Sequence, residues 1–131
     1  MQLQEHNMKV IEADGHYVEP FEVKNLFIYW GESYSVLITA NQDPSKNHWA
    51  TVDMVCCKPG TLTDLAIFKY YPNSPKQNPP TAPTTAPMWN DTAPKLTQSL
   101  SIEAKKGFIE PPPSRPERVI IFLNMQNKIW T

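Results

Sequence analysis

Three histidines, two adjacent cysteines and a group of carboxylates are the residues of this chain with the most chemical potential. Transition-metal sites gather imidazoles and thiolates; a mononuclear electron-transfer site takes two His and one Cys, often with a weak axial Met. His6, His16 and His48 stand far apart, no two are at His-x-His spacing, and none lies near Cys56 or Cys57. Each histidine therefore reads as structural: His16 as a solvated turn residue, His48 as a cap on the loop before a strand, His6 as part of an edge-like polar stretch. A composite site from His6, His48 and a cysteine has no support in the spacing. Cys56 and Cys57 are neighbours, and neighbouring residues on a strand point to opposite faces, so a bridge between them is strained. They read as two unpaired thiols near a strand end. Glu12, Asp14, Glu19 and Glu22 cluster around one turn. Paired carboxylates can do acid–base work, but here a solvated face is expected. The chain has no Gly-x-Ser-x-Gly elbow, no activated-cysteine context and, with 4 glycines, no phosphate-binding loop. The expectation is no catalytic, cofactor-binding or metal-binding residue. Asn90-Asp91-Thr92 is an N-glycosylation acceptor sequence in a Pro-rich stretch.

The elements that would carry these residues are β-strands. Asp14-Gly15 is the strongest short turn signal, because glycine accepts the positive φ of a tight hairpin. Val10 and Ile11 precede it, and Pro20, lacking an N–H, is expected to end the pairing after it. Leu3 to Ile11, Leu26 to Tyr29, Ser33 to Ala40, Trp49 to Val55 and Leu65 to Tyr71 read as strands, with Asp14 to Pro20 as a turn and irregular extension. In Ser33 to Thr39, Tyr34, Val36 and Ile38 share one face and Ser33, Ser35 and Thr39 the other, the period of a half-buried strand. Trp49 is expected in the core. Leu65 to Tyr71 is apolar on both faces and expects cover on both sides. Asn41 to Asn47 and Lys58-Pro59-Gly60 read as turns.

Proline divides the sequence: 11 of the 14 prolines lie between Pro72 and Pro116. Pro72 to Pro87 reads as an extended linker, with Trp89 to Thr92 able to anchor it against a surface. Lys95 to Lys106 mixes helix and strand character, and Pro111-Pro112-Pro113 is a stiff polyproline spacer. Val119 to Leu123 reads as another strand apolar on both faces. The chain has 131 residues, 40% of them hydrophobic, and a net charge of −1. That balance gives no basic excess for nucleic acid, and no apolar run reaches the roughly 18 residues of a membrane span. Met1 to His6 has neither a basic patch nor an apolar core, so no secretory signal is read there.

Glu12 to Phe21 followed by Gly31-Glu32-Ser33-Tyr34-Ser35-Val36-Leu37-Ile38 resembles the second, plastocyanin-like domain of plant multicopper oxidases, and within them the ascorbate oxidases. The likeness continues through Asn47 to Thr51, Leu65 to Asn73, Met88 to Asp91 and Phe122 to Ile129, and so covers nearly the whole chain. The resemblance implies an all-β, incomplete plastocyanin-like (cupredoxin) antiparallel sandwich. Residues 1–72 would be the C-terminal part of a non-copper domain, 73–117 a Pro-rich interdomain linker, and 118–131 the first strand of the following domain. A complete sandwich has about seven strands in roughly 100 residues, so the missing strands would precede Met1 and the chain would be truncated at both ends. The family's copper ligands, including its His-x-His pairs, belong to its first and third domains, and no position here matches them. Copper is thus implied for the parent enzyme and none for this chain. The resemblance implies an extracellular setting, the apoplast, for the parent enzyme. The aromatic wall that their second domain lends to the substrate pocket lies upstream of Met1, so Trp30, Trp49, Trp89 and Trp130 take no such role. Trp30 stands where the family pattern has a small residue.

Two functional readings compete. In the first, the chain is a scaffold fragment whose parent oxidises ascorbate and reduces dioxygen to water, with flanking plastocyanin-like domains as partners and self-association through exposed sheet when alone. In the second, it is a free-standing β-sandwich binding module with a Pro-rich arm that recruits partners through strand addition or its proline segments.

Overall fold

The computed structural model describes residues 1–54, 63–108, 110 and 112–123. Cys56, Cys57, the turn at Lys58 to Gly60 and Trp130 lie outside the described residues. The fold is all-β with one short helix. The order is β1 (Gln2–Leu3), β2 (Met8–Ala13), β3 (His16–Val23), β4 (Tyr34–Ile38), β5 (His48–Asp53), β6 (Thr63–Phe68) and α1 (Ala93–Ser101). They form two three-stranded antiparallel sheets, β1-β5-β6 and β3-β2-β4.

The β2–β3 hairpin forms where expected. Asp14 and Gly15 are its two loop residues, with φ of 50° and 81°, between the paired Ala13 and His16. Positive φ at both loop positions is the primed turn whose twist matches the strands it joins. The core fills one face of this sheet: Met8, Val10, Val18 and Leu26 are buried, with Ala13, Phe21, Tyr34, Val36 and Ile38 packed around them. Tyr34, Val36 and Ile38 thus share the inward face, as their alternation indicates. On β2 the inward set Met8, Val10, Ala13 skips a beat, because a bulge between Val10 and Glu12 shifts the register against both neighbours.

That bulge also corrects the reading of Pro20. The strand does not stop there but runs to Val23. Between the pairs Val10↔Phe21 and Glu12↔Tyr17 the ladder is irregular, and Pro20 falls in that gap on an outer strand, where no N–H is required.

The expected strand Leu3 to Ile11 is two strands in different sheets. Glu5 turns the chain at φ 60°, with the His6 N–H donating to the Leu3 carbonyl at 3.2 Å. Leu26 to Tyr29 is extended but lies in no sheet. Its backbone is satisfied otherwise: the Leu26 N–H donates to the Met1 carbonyl at 2.8 Å, and the buried Gln98 amide both accepts from the Phe27 N–H at 2.9 Å and donates to the Phe27 carbonyl at 2.7 Å. One side chain of α1 thereby stands in for a neighbouring strand.

The cover expected on β6 is missing among the described residues: its Thr63 to Ala66 are exposed, while Ile67 and Phe68 are half-buried. Val119 to Leu123 joins no sheet, and its side chains are 70–88% exposed. Both runs have the composition of doubly covered strands, but among the described residues Val119 to Leu123 has no layer against it and Leu65 to Tyr71 is covered only around Phe68 and Tyr70.

The Pro-rich segment is folded against the sheets. The Trp49 indole donates to the Thr81 carbonyl at 2.8 Å, and Gln4 Nε2 to the Thr81 hydroxyl at 2.8 Å and the Ala82 carbonyl at 3.0 Å. Further on, Val18 bridges Ala104, and the Glu19 N–H donates to the Glu103 carbonyl at 2.9 Å, so residues 103–105 line the outer edge of β3. Lys95 to Lys106, left without a type by the sequence, is helical in its first half. α1 begins with Pro94 in its first turn, where a missing N–H costs nothing.

Candidate functional site

Four expected carboxylates come first, and each is bound separately. Glu12 accepts from the Gly15 N–H and the Ser35 hydroxyl, and Asp14 from the Ser33 N–H at 2.7 Å. Glu22 accepts from the Asn7 amide at 3.1 Å and Glu19 from the Lys106 N–H at 3.2 Å. The group fastens the hairpin to its neighbours; it does not form an acid–base pair. His16 is exposed at the turn. Trp30, 97% exposed, tips the turn closed by Gly31 at φ 87°. Trp49 is only half-buried, not in the core, since its indole reaches out to the Pro-rich segment.

The fold brings two histidines together that the sequence keeps apart. His6 and His48 are both buried, with ring centroids 4.9 Å apart and planes nearly perpendicular. This corrects both expectations: His6 is not on a polar edge, and His48 is the first residue of β5 rather than a loop cap. The chain reversal at Glu5 turns His6 inward, while the pairing of His48 with Phe68 sets the second ring beside it. Phe68 and Tyr70 close the cluster at 5.4 and 5.8 Å from the His6 ring.

The hydrogen bonds fix the chemistry of the pair. His6 Nδ1 lies 2.7 Å from the Gln4 carbonyl, which can only accept, so the ring proton sits on Nδ1. His6 Nε2 is hydrogen-bonded to the Tyr70 hydroxyl at 2.7 Å, and that oxygen also accepts the Gln42 N–H at 3.3 Å. Both nitrogens of His6 are occupied. His48 Nδ1 faces Glu5 at 3.2 Å, while His48 Nε2 is buried with no hydrogen-bond partner among the described residues. Burial, and then the neighbouring His6 ring, hold the His48 imidazole below its ordinary pKa of 6.5, with Glu5 opposing. The cluster is a buried aromatic knot in which one ring nitrogen, His48 Nε2, is left without a partner among the described residues.

One such nitrogen does not make a copper centre. Among the described residues no three of His, Cys, Asp and Glu gather closely enough to hold a metal ion. A blue-copper site needs two imidazoles and a thiolate, and His6 has no nitrogen to give. The described residues do not fit copper.

Asn47, to which the sequence assigned no role of its own, joins the sheet to the Pro-rich segment. It is buried beside His48, and its amide donates to the carbonyls of Ser74 at 2.9 Å and Gln77 at 2.8 Å while its oxygen accepts the Tyr70 N–H at 3.2 Å. A cleft of about 570 Å3, mostly apolar, opens between residues 26–30, 52–54 and 86–87, with Lys95 at its wall.

The sequence profile described as multicopper oxidase matches residues 1–73, which take in every strand of both sheets. The chain belongs to the multicopper oxidase family. Among relatives of this multicopper oxidase chain, the L-ascorbate oxidase of Nicotiana tabacum is 45% identical over 95% of the chain. The L-ascorbate oxidase of Cucurbita pepo var. melopepo is 40% identical, also over 95%. The iron transport multicopper oxidase fio1 of Schizosaccharomyces pombe is 37% identical over 54%. The chain spans about a fifth of the length of these ascorbate oxidases, 21% of the first and 22% of the second.

Proposed function

We propose that this chain is a scaffold segment of an L-ascorbate oxidase: residues 1–72 the later part of a plastocyanin-like domain without copper, 73–117 the connection, and 118–131 the opening strand of the next domain. The parent reaction is oxidation of ascorbate with reduction of dioxygen to water, carried out in the apoplast, with copper held by the other domains. The observation that carries the reading is the reach of the likeness. It runs through 95% of the chain in the tobacco and squash ascorbate oxidases, Pro-rich segment included, whereas the fio1 likeness covers 54%. The uncovered apolar runs at Leu65 and at Val119 to Leu123 suit burial by flanking plastocyanin-like domains. By itself the chain binds no copper and turns over no ascorbate, because the one histidine pair spends three of its four ring nitrogens on the fold. The alternative, a free-standing β-sandwich binding module with a Pro-rich arm, is the weaker reading here because residues 74–82 are tied to the sheet by Asn47, Gln4 and Trp49.

The test is metal analysis of the purified chain, paired with an oxygen electrode under added copper and ascorbate against a copper-only control. The expected result is no stoichiometric copper and no uptake above the control. About one tightly held copper per chain with a blue absorption band would overturn the reading. So would oxygen uptake that saturates with ascorbate and vanishes on heating the protein.

A further inference from the structure

We infer that Asn90 is a site of N-linked glycosylation, on a face that stays open to solvent. This rests on the secretory setting of the reading above only for where the modification occurs. Asn90-Asp91-Thr92 is the single Asn-x-Ser/Thr sequence in the 131 residues, and its middle residue is not proline. The structure adds what a sequence match lacks. Asn90 is exposed in the turn of Trp89 and Asn90, which the Asp91 N–H closes by donating to the Met88 carbonyl at 3.0 Å. The Lys95 ammonium donates to the Trp89 carbonyl at 3.1 Å and holds the turn from the helix side. Among the described residues no hydrogen bond engages the Asn90 amide.

The hydroxyl of Thr92 is the second observation. Thr92 occupies the N-cap of α1, where a threonine ordinarily turns its hydroxyl onto the amide N–H of the second or third helical residue. Here it makes no such bond. The second helical residue is Pro94, which has no N–H, so one of the two usual donors is missing. The helix is instead secured at this end through the Thr92 backbone, whose carbonyl accepts the Leu96 N–H at 2.9 Å. Both side chains of the acceptor sequence therefore stand free on one exposed turn.

The donor is a lipid-linked pyrophosphoryl oligosaccharide with its transferring enzyme. The Asn90 amide nitrogen attacks the anomeric carbon of the first sugar. The C–N bond forms, the C–O bond to the pyrophosphate breaks, the lipid pyrophosphate leaves with the bonding pair, and the amide proton passes to a base of the enzyme. The finished glycan projects from the turn just before α1. A bulky hydrophilic group there keeps a flanking domain off this turn.

The experiment joins a cleavable eukaryotic leader to the full chain, which removes any dependence on the oxidase reading. Translation with endoplasmic-reticulum microsomes reads acceptor use, with a known glycoprotein as a positive control in the same reaction. Secretion from cultured cells reads the folded product. The expected result in both is one glycan step in gel mobility, removed by peptide N-glycosidase and mapped by mass spectrometry to the tryptic peptide of residues 77–95. Asn90→Gln and Thr92→Ala lose the step, and Thr92→Ser keeps it. An unmodified chain in either preparation, or a step that survives Asn90→Gln, overturns the inference.

Discussion

Asn47→Ala should free the Pro-rich segment locally, and trypsin reports on it directly. The Asn47 amide donates to the carbonyls of Ser74 and Gln77, which bracket the exposed Lys76. A protease must draw several residues around its target into an extended strand, so cleavage after Lys76 requires both bonds to open. Each is worth about 1 kcal/mol net, and losing two shifts the opening by about 2 kcal/mol. At about 1.4 kcal/mol per tenfold, the open population rises about 30-fold. Where reclosing outpaces cleavage, the tryptic rate follows that population. Lys9 lies on the central strand of the core sheet and serves as the internal reference, since cleavage there needs the sheet to open. The assay is limited trypsinolysis followed by mass spectrometry, with the two sites quantified against each other. Asn47→Asp separates the contacts: it keeps an acceptor for the Tyr70 N–H but has no donors for the two carbonyls. Both variants should speed cleavage after Lys76, and only Asn47→Ala should speed exchange of the Tyr70 amide. A change under about threefold at Lys76, or an equal rise at Lys9, would refute this account of how the segment is held.

The remaining predictions concern the histidine pair, the helix and the open faces. His48 has its folded pKa below the ordinary 6.5, so the unfolded chain binds more protons between those two values. Stability is therefore full above 6.5 and falls as the pH drops through that window, flattening below the folded value. Thermal unfolding between pH 7 and pH 5 measures it, and an undiminished slope in His48→Leu would exclude His48 as its source. Gln98→Leu removes both bonds to the Phe27 backbone, a loss of about 2 kcal/mol. Hydrogen exchange should show the Phe27 amide opening about 30-fold more often, and a rate within about threefold of the parent would contradict the role given to Gln98. The isolated chain should self-associate, because Val119 to Leu123, outside any sheet, and Leu65, on the edge strand β6, expose apolar side chains. Sedimentation velocity should find dimers or larger species at micromolar concentration; a monodisperse monomer would count against it.

The sequence by itself determined the local β-structure. Asp14-Gly15 specified its hairpin because a primed turn admits few other residues. The alternation of Tyr34, Val36 and Ile38 specified which face of β4 turns inward, since period two leaves no other choice. The spaced motif blocks from Glu12 to Ile129 carried the family, because each is specific at several positions together. Only the tertiary structure decided what depends on contacts distant in the chain. His6 and His48 stand 42 positions apart, and nothing local to either says that a reversal at Glu5 turns one ring onto the other. Pro20 looked like a terminator because proline donates nothing; its place in a bulge on an outer strand makes that donation unnecessary. Leu26 to Tyr29 has the composition of a strand, but a strand is defined by its neighbour, and here the neighbour is a glutamine side chain on a helix. The Pro-rich segment read as an extended linker because prolines cannot join ladders. Its attachment comes from Asn47, Gln4 and Trp49, whose polar groups acquire partners only after the sheets have formed.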